Sequence, residues 1–281
     1  MQLKTILNRV QKFKSFVYKS VKWSEVAGEI VLLVEIVARA RSRPICSGCG
    51  HRRPWYDTME PRRFEFVPLW GIPVFFIYAM RRVNCCRCGV KIETVPWAEG
   101  KHTLTTTYMQ FLARWAKRLS WQDVARVFKT SWEEVFRSVE WSVQWGLAHR
   151  DMSNIRSIGV DEVLWQRGHK YLTVVYQIDR ECKRLLWVGE NRTVRTLLHF
   201  FREFGKERSS QLLFVCSDMW KPYLKVIAKK AISSGVMEGL NNKLKLTTRK
   251  SYGFRTFRAA EVMLYHALGD LPEPSYTHRF C

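Results

Sequence analysis

Two pairs of cysteines constrain the fold of this chain more than any other feature. Residues 46–49 read Cys-Ser-Gly-Cys and residues 85–88 read Cys-Cys-Arg-Cys, with 35 residues between the pairs and a glycine directly after each. Four thiolates are the ligand set of a closed tetrahedral zinc site, and glycine can adopt the positive φ that a tight metal-binding turn often requires. We predict one structural Zn²⁺ on Cys46, Cys49, Cys85 and Cys88. The alternative is two unrelated pairs of buried thiols, and Cys86 is interpreted as a bystander.

The chain is strongly basic along its whole length. Its 281 residues include 47 Lys and Arg against 25 Asp and Glu, a formal net charge of +22. An extended polyanion such as DNA explains this charge best, and an anionic membrane surface is the weaker alternative. No apolar stretch approaches the ~20 residues of a membrane helix, and the basic N-terminus lacks the apolar core of a signal peptide. We expect a cytoplasmic, nucleoid-associated protein with DNA as partner and no membrane contact.

A pair of capped helices is predicted between residues 101 and 150. Each helix begins with a serine followed three residues later by an acid, as in a capping box: Ser120 with Asp123, and Ser131 with Glu134. The short segment between the helices suits a helix-turn-helix. The second helix, from Trp132 to about Val143, would then enter the major groove with Trp132 and Arg137 contacting DNA. An ordinary helical hairpin is the alternative.

Carboxylates at the ends of apolar runs indicate a second metal site. Asp161 closes one such run and Asp218 closes another, while Glu238 follows twenty residues after Asp218. The pattern between residues 155 and 217 predicts three strands, a helix and a fourth strand, with these two aspartates on the first and fourth strands. That order is typical of a ribonuclease H-like fold, in which the two strands are neighbours. Hard cations such as Mg²⁺ bind such oxygen ligands, although Asp218 could instead cap the following helix.

The predicted fold class is mixed α/β with three successive domains. Residues 1–100 would hold the zinc-binding module, residues 101–150 the helix-turn-helix, and residues 151–281 a ribonuclease H-like core. We find no internal repeat or low-complexity linker in the sequence.

The sequence also resembles a known family, the ISL3 family of bacterial insertion-sequence transposases. The similarity lies in residues 159–162 (Gly-Val-Asp-Glu), 165–171, 216–223, 238–243 (Glu-Gly-Leu-Asn-Asn-Lys) and 252–255 (Tyr-Gly-Phe-Arg). The zinc module and the helix-turn-helix fit the same family, so the resemblance covers essentially the whole chain.

The resemblance implies a DDE transposase acting on the terminal inverted repeats of its element and on target DNA. Asp161, Asp218 and Glu238 would be the catalytic triad and would bind two Mg²⁺ ions. A basic segment after the triad could hold the DNA backbone, or could be a solvated helix face: Lys243, Lys245, Arg249, Lys250 and Arg255. The oligomeric state is left open, with a homodimer as one option.

One departure from the family concerns the segment before Glu238. Family members carry a long helix-rich insertion between the second Asp and the Glu, whereas only nineteen residues separate Asp218 from Glu238 here. The core therefore resembles one truncated by an internal deletion. Three hypotheses follow: an active transposase, a catalytically impaired transposase that only binds DNA sequence-specifically, and an unrelated zinc-containing regulator. We expect binding of the element ends with poor cleavage or none.

Overall fold

The computed structural model of the chain describes residues 3–26, 28–166, 170–217 and 255–275. These residues form two compact units, the first made of the residues up to Trp115 together with Ser275, and the second running from Ala116 to Pro274. The domain boundaries predicted at residues 100 and 150 stay predictions. Within the described ranges, no helix is both long enough and apolar enough to cross a membrane.

The first unit is built on a five-stranded mixed sheet. Its elements are α1 Leu3–Val10, β1 Phe16–Val26, β2 Glu29–Ala38, β3 Trp55–Leu69, β4 Ile72–Cys85, β5 Gly89–Ile92 and α2 Thr106–Ala116, which ends at the boundary. Strands β1 and β2 form one antiparallel hairpin, and β3 and β4 form another. The hairpins join through parallel pairing of β2 with β4, which gives the strand order β1-β2-β4-β3. Strand β5 pairs with the end of β4 and lies outside this order.

An aromatic core covers one face of this sheet. Along most of β4 every second residue is buried, including Phe76 and Tyr78, as expected where one face of a strand packs on a core. Trp97 lies at the centre of the core. The ring centroids of Phe16 and Tyr78 lie 4.9 and 5.2 Å from that of Trp97, in edge-on geometry. Such edge-to-face contacts add about 0.5–1.5 kcal/mol each beyond the area they bury.

A buried ion pair fixes the segment that leads into the metal-binding region. Glu93, which is almost fully buried, accepts hydrogen bonds from Tyr78 Oη at 2.6 Å and from Arg81 Nη2 at 2.7 Å. Arg81 Nη1 also donates to the carbonyl of Ser42 at 2.9 Å. Burial, and then the neighbouring Glu93, raise the pKa of the Tyr78 phenol. The network therefore ties β4 to the chain segment just before Cys46.

The second unit combines a helix pair with a four-stranded sheet. Its described elements are α3 Trp121–Val127, α4 Trp132–His149, β6 Ser157–Gln166, β7 Lys170–Asp179, β8 Cys182–Glu190, α5 Val194–Phe204, α6 Lys206–Ser210, β9 Phe214–Ser217 and α7 Phe257–Leu268. Strands β6, β7 and β8 form an antiparallel meander. Strand β9 lies parallel to β6, which gives the order β8-β7-β6-β9.

Helices pack against this sheet through buried side chains. One hydrophobic cluster joins α5 to the strands, and its members include Leu197, Phe200, Phe204, Ile158, Val160, Val175 and Val215. Helix α7 packs against α4 and β8. Arg258 of α7 forms an ion pair with Glu140 of α4 at 2.7 Å, and Tyr265 Oη donates to the carbonyl of Leu186 at 3.4 Å.

The three strands, the helix and the fourth strand predicted between residues 155 and 217 are present. Two differences are found. Helix α4 continues to His149, past the expected end near Val143, and residues 271 and 272 cross it closely at buried Gly146. Helix α1 was not predicted, although Leu3, Ile6, Leu7 and Val10 have the spacing of an amphipathic helix, because its 8 residues are too few to separate a helix from a strand by pattern.

Candidate functional site

The four predicted zinc ligands converge in the first unit. The Sγ atoms of Cys46, Cys49, Cys85 and Cys88 all lie within 4.8 Å of one another. The Sγ atoms of Cys49 and Cys85 are 3.7 Å apart. A tetrahedral site with Zn–S bonds of about 2.3 Å needs sulfur atoms about 3.8 Å apart, so the thiol positions fit zinc. The predicted convergence is confirmed, and the four cysteines could hold a metal such as zinc.

Glycine turns shape both cysteine pairs, as the sequence predicted. Gly50 and Gly89, which follow the two pairs, have φ of +69° and +71°. The Gly50 amide donates to the carbonyl of Cys46 at 2.9 Å, which closes the first turn beneath the thiols. Gly48 serves a different purpose, because a Cβ there would lie 3.0 Å from Cys88 Sγ. The first turn must therefore lack a side chain at residue 48 for the second pair to approach.

The thiols differ in how readily they ionise. A hydrogen bond from the His51 backbone is the largest cause that lowers the pKa of Cys49 to about 6, and neighbouring Cys85 adds to it. Burial raises the pKa of Cys88 to about 12 in the absence of a metal. A thiolate is the form that binds metal, so the lowered pKa of Cys49 favours metal binding at this thiol.

Both serine caps of the predicted helix pair are present. Ser120 Oγ accepts from the Asp123 amide and Ser131 Oγ accepts from the Glu134 amide, each at 3.1 Å. The turn between α3 and α4 has Lys129 in the left-handed region, with φ of +51°. The Thr130 amide donates to the carbonyl of Ala125 at 3.0 Å, the hydrogen bond of a Schellman motif. The pair is therefore well capped at the turn despite the absence of glycine there.

Replacing Lys129 by glycine is expected to stabilise the protein by about 1 kcal/mol, because glycine adopts positive φ without a Cβ clash. Lys129→Ala removes the same charge but keeps the Cβ, so it should give no such gain. Urea unfolding of the two variants would measure the difference. Equal free energies of unfolding for Gly and Ala would contradict this account of the turn.

The start of α4 presents an aromatic and ionic surface. Trp132 is 46% exposed and stacks on Phe136, with ring planes 3° apart. Arg137 is exposed, and its Nη1 lies 2.9 Å from Glu134 Oε1. Both predicted DNA-contacting residues thus lie in the first two turns of α4. An exposed ion pair of this kind is worth only about 0–1 kcal/mol, so Arg137 can exchange partners at little cost.

Of the predicted triad, Asp161 lies within the described residues, on β6 next to β9. The two strands pair in parallel register from Ser157 with Phe214 to Val160 with Ser217. Asp161 is the next residue after this last pair. Asp218 and Glu238 lie outside the described residues, as do Lys243, Lys245, Arg249 and Lys250.

The residues around Asp161 have separate roles. Glu162 forms an ion pair with Arg192 near the start of α5, and its side chain is 6% exposed. Tyr176 is fully buried on β7, and burial followed by the Asp161 carboxylate raises the pKa of its phenol. Tyr176 therefore remains protonated beside Asp161. The sequence alone did not single out Tyr176 or Arg192, because each is brought near these acids by strand pairing or tertiary folding.

Arg255, another predicted DNA contact, lies at the beginning of the last described segment. Its side chain is exposed, and its carbonyl accepts a hydrogen bond from Gln166 Nε2 at 3.3 Å. Gln166 is the last residue of β6. The segment that leads into α7 therefore returns to the end of the strand that carries Asp161.

Comparison with known proteins identifies relatives of this chain. A family model described as "Transposase", of the ISL3 type, matches residues 158–231 and 227–264. The transposase for insertion sequence element IS1557 from two Mycobacterium tuberculosis strains is 32% identical over 191 residues, covering 65% of this chain and 42% of the relative. The transposase for insertion sequence element IS1001 from Bordetella parapertussis is 26% identical over 204 residues, covering 72% of this chain and 49% of the relative.

The matched region therefore spans less than half the length of these curated relatives. The family match includes the strand that carries Asp161 and extends into α7. Over residues 158–264 this chain resembles the ISL3-type family of insertion-sequence transposases.

Proposed function

We propose that this chain acts in DNA transposition, binding the terminal inverted repeats of its insertion sequence through a core with a DDE metal site. The parallel pairing of β6 with β9 carries this proposal. The register pairs Val160 with Ser217, and in the sequence Asp161 and Asp218 each follow directly after one member of this pair. Neighbouring strands lie about 4.8 Å apart and paired residues share a face of the sheet, so two carboxylates continuing this register could share a cation.

The topology of the second unit supports a ribonuclease H-like core. Three antiparallel strands are followed by helix α5 and then by β9, which returns to lie beside the first strand. This is the order that the sequence predicted for such a core. The first and fourth strands are neighbours, so the fold provides one edge on which acids from distant parts of the chain can meet.

Asp161, Asp218 and Glu238 would hold Mg²⁺. The carboxylate of Asp161 fits such an ion, because it is an oxygen ligand at a partly exposed strand position. Mg²⁺ held there would supply Lewis acidity for activation of a nucleophile and for stabilisation of charge on a leaving oxygen. Arg192 keeps Glu162 out of this set by pairing with it. Tyr176, protonated beside Asp161, can donate a hydrogen bond but cannot accept a proton.

DNA recognition is assigned to the helix pair and the basic segments. Trp132 and Arg137 would contact bases from the start of α4, with Glu134 releasing Arg137 when DNA binds. Phosphate contacts would come from the exposed Arg255 and the basic residues before it: Lys243, Lys245, Arg249 and Lys250. Each phosphate contact releases condensed counterions, so binding should weaken steeply as salt rises. The same contacts would serve target DNA, and the place of action would be the cytoplasm.

A structural Zn²⁺ on the four clustered cysteines is part of the same proposal. The 3.7 Å separation of two sulfurs and the glycine turns support it. An all-thiolate zinc site has no open coordination position for a substrate. The zinc would therefore stabilise the fold of this region and would not take part in catalysis.

A second candidate function is DNA binding without catalysis. The family model matches this chain in two segments that meet at residues 227–231. This observation supports the proposal of an internal deletion before Glu238. A deletion there would remove structure that braces the third ligand, and a shift of about 1 Å can cost on the order of 100-fold in rate. We therefore expect end binding with little or no cleavage.

This expectation can be tested with one set of duplexes. The full chain should bind a terminal inverted repeat more tightly than a scrambled duplex of equal length and composition, and should not cleave it measurably with Mg²⁺. Asp161→Ala should bind equally well. Arg137→Ala should reduce the preference for the repeat by roughly 5- to 100-fold, as expected for loss of a good base contact. Fluorescence anisotropy and end-labelled gels would report binding and cleavage.

Arg126→Ala is a matched control, because Arg126 is also exposed and also pairs with an acid three residues earlier. It should lower affinity for both duplexes alike. Equal binding of repeat and scrambled duplex by the unaltered chain would show that the helix-turn-helix assignment is wrong. Strong Mg²⁺-dependent cleavage, lost in Asp161→Ala, would instead favour the fully active enzyme.

A further inference from the structure

Two adjacent aromatic side chains are exposed at the start of β3. Trp55 is 60% exposed and Tyr56 is 51% exposed. Both follow the first cysteine pair by only a few residues, and β4 beside them ends in Cys85. Large neighbouring apolar groups left in water usually mark a binding surface.

Both aromatic rings are held in place. Trp55 Nε1 donates to Thr58 Oγ1 at 3.1 Å, which restrains the indole. Tyr56 is an extra residue in the β3–β4 pairing, because Trp55 pairs with Val83 while Asp57 already pairs with Arg82. A β-bulge of this kind re-aims side chains, and here it puts Tyr56 beneath the guanidinium of Arg82, whose Cζ is 5.5 Å from the ring centroid.

Asp57 fixes this arginine. Arg82 Nε donates to Asp57 Oδ1 at 2.7 Å, and a second nitrogen donates to the other carboxylate oxygen. The guanidinium plane is therefore oriented by a two-point contact while Tyr56 remains half exposed. A flat cation and an aromatic ring held together in this way form a rigid platform with π-faces.

The surroundings of the platform are strongly cationic. Residues 39–57 and 81–93 contain nine Lys and Arg but only two acids, Asp57 and Glu93, which are paired with Arg82 and Arg81. An excess of seven positive charges remains, and it exceeds the two negative charges of a zinc centre with four thiolates. Trp55 of β3 and Lys91 of β5 pair with Val83 of β4 from opposite sides. Lys91 therefore lies two strands away from Trp55. Phosphates beside the aromatic rings would thus meet positive charge.

We propose that Trp55, Tyr56 and Arg82 form a platform on which unpaired bases of single-stranded DNA stack. Aromatic faces combined with a cationic surface are the features by which proteins hold single strands without reading their sequence. Duplex DNA cannot use these rings in the same way, since its bases are already stacked inside the helix. The inference deepens the proposed function and rests on it, because the strand would be one that unpairs at an element end.

Two fluorescent 15-mers test this platform, one of deoxythymidine and one abasic with the same phosphate charge. The unaltered chain, loaded with zinc, should bind the thymidine strand at least about tenfold more tightly, as expected for one or two stacked bases. In Trp55→Ala and in Tyr56→Ala this ratio should fall severalfold, while affinity for the abasic strand changes little. Trp55→Phe and Tyr56→Phe keep a ring and should retain most of the ratio.

Trp23→Ala is the matched control, since Trp23 is 64% exposed on β1 of the same unit and lies outside the platform. It should leave the ratio unchanged. Equal weakening of both strands by Trp55→Ala, or no weakening of either, would overturn the platform. The platform would also be overturned if Trp55→Ala changed the sedimentation of the protein without changing the ratio of the two affinities. That result would identify the aromatic surface as a contact between protein chains. Binding of the inverted repeat and of the scrambled duplex, measured on the same samples, tests the proposed function separately.

Discussion

Replacing Cys85 by serine is expected to release zinc and to unfold the end of the first unit that carries the cysteines. Structural zinc in small thiolate sites contributes apparent folding free energies on the order of 10–16 kcal/mol, and loss of one thiolate removes much of that. Val83, Cys46 and Cys85 form a small separate hydrophobic cluster with few other partners. Metal analysis and thermal unfolding of the purified chain would measure the loss.

Cys86→Ser is the matched control, because Cys86 is the neighbouring residue, is exposed, and does not belong to the four-thiol cluster. It should retain about one zinc per chain and unaltered stability. A folded sample of the unaltered chain without zinc would contradict the assignment. So would equal zinc loss in the two serine variants, since Cys86 would then be a ligand.

Gly189→Ala is expected to destabilise the second unit by about 3 kcal/mol, at the upper end of what overpacking usually costs. A Cβ at residue 189 would overlap the indole of Trp187 and come within 2.7 Å of Thr196 Cγ2. The indole cannot easily move, because its Nε1 donates to Glu203 at 2.6 Å. Urea unfolding monitored by circular dichroism would measure the change.

A double-mutant cycle isolates the cause of that loss. Trp187→Leu removes the ring that a methyl group at residue 189 would meet, so adding Gly189→Ala to it should cost much less than in the unaltered chain. An interaction free energy of about 1–3 kcal/mol is expected for two residues in such contact. Additive effects would mean that backbone conformation, and not the overlap with Trp187, makes glycine necessary.

Local signals in the sequence predicted several features of the candidate site well. The glycines after each cysteine pair, and serines followed by acids, report backbone conformation within a few residues, so Gly50, Gly89, Ser120 and Ser131 were read correctly. Short apolar runs located the strands of the second unit. The pairing of β6 with β9 followed from strand order, because few topologies bring a fourth strand back into a meander.

Features set by distant residues could not be read in this way. The β-bulge at Tyr56 depends on the register between β3 and β4, which no residue near Tyr56 encodes. Residues 271 and 272, more than 120 positions later in the chain, pass over Gly146 so closely that a side chain there would collide with them. The left-handed Lys129 is hidden for a different reason, since lysine gives no signal of positive φ.

The parallel pairing of β6 with β9 also shapes how the chain emerges during synthesis. The β6–β7–β8 meander consists of local hairpins and can form as soon as Glu190 has left the ribosome. Strand β9, which pairs Phe214 with Ser157, arrives later and must close a long loop to do so. Until then one edge of β6 is bare, and bare edges pair readily with other chains. The strand that carries Asp161 therefore stays open to pairing with other chains until β9 has been synthesised.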